Sequence, residues 1–68
     1  MTTWQRRLTK EHQSLLRKIA RLAGFMSTVL YTKLSIQEQV QLDLQLDAMT
    51  EYHLCLMRRI NYYKENQS

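Results

Sequence analysis

The sequence predicts an all-α fold, an antiparallel two-helix hairpin with a short connecting segment, assembling into a helical-bundle homo-oligomer. Three observations lead there. The 68 residues contain no proline and one glycine, which removes the usual helix punctuation. Two long stretches place apolar residues in four-three alternation, the period of one helix face. The second stretch carries two such rows side by side, an apolar face wider than one neighbouring helix covers.

The first helix is expected over about residues 3 to 23, because Trp4, Leu8, Leu15, Ile19, Leu22 and Met26 form one stripe with His12 filling the missing place. Gly24 marks its expected end. The segment "FMSTVLYTKL" within residues 24 to 34 lacks clean periodicity and reads as a connector with room for a helical turn of its own. Ser35 followed by Glu38 is a capping box, so the second helix should occupy about residues 35 to 64. Its seam is Leu42, Leu46, Met49, His53, Leu56, Ile60 and Tyr63. Beside the seam run Val40, Leu44, Ala48, Tyr52, Cys55, Arg59 and Tyr62. One row suits the first helix and the other suits a second copy, with Val40, Leu44, Tyr52, Leu54 and Cys55 as the expected oligomer interface. The whole chain is read as a single hairpin domain, residues 1–68.

So short a chain buries little surface alone and is usually reinforced by disulfides, metal or association. Cys55 is the single cysteine, which excludes an internal disulfide. The opening "MTTWQRRLTKEHQ" has no secretory pattern, and the longest apolar run, Leu54 to Met57, is far too short to span a bilayer. A soluble, cytoplasmic protein is expected. Self-association is then the remaining reinforcement.

The net charge of +4 is unevenly distributed. Arg6, Arg7, Lys10, Arg17, Lys18 and Arg21 crowd the first helix against Glu11, and Glu38, Asp43, Asp47 and Glu51 make the middle acidic. Hairpin register is expected to set Arg17 and Arg21 beside Asp43 and Asp47. That would relieve the like charges that a four-residue spacing stacks on one helix face.

Catalytic and metal readings are weak. His53 and Cys55, two apart, point to nearly opposite sides of a helix and cannot share a metal ion. His12 and His53 could meet in the seam, but two histidines do not make a zinc site, so neither metal nor cofactor is expected. Cys55 reads as a small hydrophobe. No nucleophile arrangement or phosphate-binding glycine loop is present, and no enzyme is expected.

What packing leaves over is a cluster of arginines and aromatics. Arg6 and Arg7 stand in a first helical turn, where the dipole disfavours positive charge. An antiparallel hairpin brings them to Arg58, Arg59 and Lys64, with Trp4, Tyr62 and Tyr63 nearby. Guanidinium groups hold phosphates bidentately and aromatic rings stack on bases. The candidate ligand-binding residues are therefore Arg7, Tyr52, Arg58, Arg59, Tyr62 and Tyr63, and an acidic protein surface would fit the same cluster. Duplex nucleic acid is disfavoured by the acidic middle and by the lack of a recognition motif. Membrane-surface binding is disfavoured because the charges of Arg17 and Arg21 are expected to be taken up within the hairpin.

The stretch "KLSIQEQVQLDLQLDAMTEYHLCLMRRI", residues 33 to 60, resembles a family of small helical proteins of tailed bacteriophages and prophages, including crAss-like phages. Phe25, Tyr31, Leu34, Ser35, Glu38, Gln39, Leu42, Gln45, Leu46, Met49, Tyr52, Leu56, Arg59 and Ile60 carry the likeness, over roughly the second half of the chain. The resemblance implies a phage accessory protein in the host bacterial cytoplasm, a setting in which counter-defence is common. By architectural analogy alone, phage sponges of cyclic nucleotide signals are oligomers of helical hairpins. Two functions are expected from these lines together: a homo-oligomer that sequesters an anionic ligand such as a cyclic oligonucleotide, or a module that inhibits or redirects a host bacterial protein.

Overall fold

A computed structural model describes residues 3–65, all of whose regular structure is helical. Three helices follow in order, α1 (Thr3–Met26), α2 (Val29–Thr32) and α3 (Ile36–Glu65). Helices α1 and α3 lie antiparallel, His12 meeting His53 and Trp4 meeting Tyr63, in a rod of 51 × 15 × 15 Å. The 30 residues of α3, at about 1.5 Å each, set most of its length.

Burial follows the seam. Leu8, Leu15 and Leu56 are buried, Leu56 to 1 % exposure, and Ile19, Met49, Ile60 and Tyr63 pack against them half-buried. Every seam position of α3 from Leu42 to Tyr63 is at least partly shielded, while the adjacent row, Val40, Leu44, Ala48, Tyr52, Cys55, Arg59 and Tyr62, is exposed. The proposed interface residues thus stand on the outside of the hairpin, available to a neighbour.

One expectation at the bend needs correction. Helix α1 does not stop at Gly24 but continues to Met26, since Gly24 keeps a negative φ and needs no left-handed turn. Thr28 and Ser27 instead close the end, their hydroxyls donating to the carbonyls of Phe25 (2.6 Å) and Ala23 (3.1 Å). The connector then holds a single helical turn, α2, whose Tyr31 meets Phe25 edge-on with ring centroids 6.3 Å apart.

Helix α3 starts where Ser35 caps it, the Glu38 backbone N–H donating to Ser35 Oγ at 3.1 Å. Gln39 ties the bend down, its side-chain amide donating to the carbonyls of Tyr31 and Leu34, each at 3.1 Å. The Tyr31 hydroxyl returns to α3, placed between the Gln39 carbonyl (3.3 Å) and the Asp43 carboxylate (3.4 Å). Asp43 therefore takes its partner from the connector, whereas Arg21 shares a cleft wall with Gln45 and Met49. The expected pairing of Arg21 with Asp43 is replaced by a tyrosine clasp, because Asp43 lies on the side of α3 that faces α2.

Candidate functional site

Two helical stripes, one on each long helix, build the most distinctive surface. On α1, Trp4, Arg7, Leu8 and Glu11 follow three- and four-residue steps, and on α3 so do Tyr52, Leu56 and Arg59. Antiparallel packing brings both stripes together over the buried Leu8 and Leu56, and the seven residues line an open cleft of about 380 Å³. Each helix contributes one arginine and one aromatic ring.

The cleft is polar in an ordered way. Register places Arg7 and Arg59 toward the Thr3 end of α1 and the Glu65 end of α3, whereas Glu11 lies about one turn and Tyr52 about two turns further in. The Tyr52 hydroxyl donates to Glu11 Oε1 at 3.3 Å across the helices. Partial burial, the Glu11 charge and that hydrogen bond raise the Tyr52 hydroxyl above its ordinary pKa, with Arg59 pulling the other way. Tyr52 is therefore a neutral donor at physiological pH.

Of the ligand-binding residues expected from sequence, Arg7, Tyr52 and Arg59 share this cleft. Arg58, Tyr62 and Tyr63 do not line it. Arg58 is exposed on the outer surface of α3. Tyr63 is part of the seam, packed edge-on against Trp4 with centroids 4.3 Å apart at 83°. Tyr62, exposed, meets Tyr63 edge-on at 5.3 Å. These two tyrosines thus extend an aromatic run from Trp4 around the end of the rod.

Beyond those three, Leu8 and Leu56 form the floor of the cleft, and Trp4 and Glu11 complete its lining. The sequence sets Trp4 near the arginine cluster without making it a ligand-binding residue and marks Glu11 only as a charge, yet both stand in the same stripe as Arg7. Their three- and four-residue spacing from Arg7 is the available signal.

Next to the cleft lies the histidine pair, with His12 Nε2 2.9 Å from His53 Nδ1 and the rings 15° from parallel. One proton shared along that line satisfies both nitrogens, which accounts for two polar rings in an apolar seam. Among the described residues no group of three or more His, Cys, Asp or Glu side chains could hold a metal ion. None of the described helices is long and apolar enough to cross a membrane. A second cleft of about 540 Å³ lies toward the bend, where Lys18, Arg21 and Phe25 surround largely apolar walls from Leu15, Leu22 and Met49. Both its cations come from α1, so it lacks the two-sided cationic grip of the first.

A family model described as Sequestin matches residues 2–62. The match takes in both long helices, so it extends well beyond the C-terminal half that carries the resemblance read from sequence. No match was found among curated proteins or among solved structures.

Proposed function

The chain belongs to the Sequestin family, and we propose that it is a non-enzymatic sequestering protein whose cleft takes an anionic ligand, a cyclic nucleotide signal being the best fit. The observation that carries this reading is the placement of Arg7 and Arg59, one from each helix, in one cleft with Trp4 and Tyr52. Two guanidinium groups grip a phosphate from opposite sides, and the flanking rings offer faces for a base. The family name is consistent with sequestration.

In this reading the protein is a phage or prophage accessory protein acting against host defence in the bacterial cytoplasm. It works as a homo-oligomer in which Val40, Leu44, Leu54 and Cys55 meet a second copy, with Tyr52 at the border of interface and cleft. Thermal-shift titration with a panel of cyclic di- and trinucleotides tests it. A stabilisation that weakens at least tenfold in apparent affinity in Arg59→Ala is expected. No shift with any member of the panel sinks the reading.

A second reading, a module that inhibits or redirects a host protein, draws support from a different surface. Val29, Leu30 and Ile36 at the bend are 71, 62 and 79 % exposed, apolar side chains at the opposite end of the rod from Arg7 and Arg59. Recovery of one stoichiometric partner from a bacterial lysate, lost on Ile36→Glu but not on Arg59→Ala, would favour that reading over sequestration.

A further inference from the structure

A carboxylate is a poor neighbour for a phosphate, so Glu11 calls for an account in a cleft that otherwise gathers arginines. Its like charge weakens any anion bound nearby, and a cleft evolved only for phosphate groups gains by losing it. An acceptor is useful there when the ligand also carries a hydrogen-bond donor, because a charged acceptor strengthens such a bond and penalises ligands that lack one.

The local geometry leaves Glu11 able to act this way. Its contact with the Tyr52 hydroxyl is 3.3 Å long, against about 2.5 to 2.7 Å for a strong bond from a hydroxyl to a carboxylate. That contact uses one of about four acceptor positions on the two carboxylate oxygens. Glu11 is also exposed, so its remaining capacity meets solvent and can be exchanged for a ligand donor. Arg7 stands four positions before Glu11 on α1, about one helical turn or roughly 5 Å along the axis, a scale comparable to that separating a nucleotide's phosphate from its sugar.

We infer that Glu11 is a specificity-determining residue, accepting a hydrogen bond from the nucleoside part of a phosphate-bearing ligand held by Arg7 and Arg59. The inference rests on the sequestering role proposed above and narrows its ligand class to nucleotides, as against inorganic polyphosphates. Tyr52 is the positioning residue, its hydroxyl steadying the carboxylate while its ring borders the base. The donor is a ribose hydroxyl or an exocyclic amine, chemically equivalent toward a carboxylate.

Isothermal titration of the full chain with cyclic di-AMP and with tripolyphosphate separates the possibilities. Wild type is expected to prefer cyclic di-AMP. Glu11→Ala should weaken cyclic di-AMP about tenfold or more, the scale of losing a hydrogen bond to a charged group, while tightening tripolyphosphate. The 2′-deoxy and inosine analogues of cyclic di-AMP then identify the donor, since the analogue lacking it should be indifferent to Glu11→Ala. A variant that tightens or weakens both probes alike, leaves both unchanged, or affects both analogues as it affects the parent overturns the role of Glu11. In each of those cases the sequestering reading survives. If neither probe binds wild type, the sequestering reading fails for these ligands and the role of Glu11 falls with it. An unchanged helical circular dichroism signal checks the fold of the variant, whose site is an exposed helix position.

Discussion

Individual side chains show how polar groups are reconciled with so thin a core. His12 and His53 are tolerated in the seam because each satisfies the other at 2.9 Å. Removing one should therefore do more harm than removing both. His53→Ala is expected to cost about 1 to 3 kcal/mol by leaving a shielded imidazole nitrogen without its partner, whereas leucine at both positions should recover that loss. Guanidinium denaturation midpoints of the single and double variants check the ordering. The two tyrosines clasped to carboxylates make a pH prediction. Tyr31 is raised above its ordinary value by partial burial, by the Asp43 charge and by its hydrogen bond to Asp43, as Tyr52 is by burial and Glu11. A tyrosine whose folded value is raised contributes stability that is complete below its unfolded value, about 10, and is lost as the pH climbs through the folded one. Stability should thus fall above about pH 10. Tyr31→Phe should flatten part of that fall in a thermal-melt series.

At the level of elements, the ends of the helices rest on few contacts and are correspondingly easy to probe. Ser35 caps α3 through the Glu38 N–H, and Ser35→Ala should cost about 0.5 to 2 kcal/mol. Gly24 offers the opposite change. It lies inside α1 with a negative φ, and a methyl group placed there meets no atom within 4 Å. Gly24→Ala should raise stability by up to about 1 kcal/mol, read as a higher melting temperature. The bend was legible in part. Ser35 and Glu38 announced the start of α3, but the clasp of Tyr31 and Gln39 was not readable, because it joins residues eight apart through one side-chain amide and one hydroxyl. No periodicity marks such a contact. Gly24 misled for a related reason: glycine permits a turn without requiring one.

For the whole molecule, the decisive fact is how little a single hairpin buries. Leu56 carries much of the core, and Leu56→Ala is expected to cost about 2 to 5 kcal/mol, a large share of what a small domain has. A shallow or absent unfolding transition by circular dichroism would be the sign. If the exposed row packs on a second copy, Val40→Glu with Leu44→Glu should lower the native mass to that of one chain while sparing ligand-independent helicity near neutral pH. The all-α character, the seam and the two-rowed face of α3 were determined by sequence alone, because helical periodicity is a local property that apolar spacing encodes directly. Which residues share a site was decided only by tertiary structure. Arg7 and Arg59 lie 52 positions apart in the chain, and their meeting depends on register and on rotation of each helix about its axis. The same rotation took Arg58 to the outside, since neighbours on a helix differ by about 100° in direction, whereas Tyr63 holds the seam place that its spacing announced.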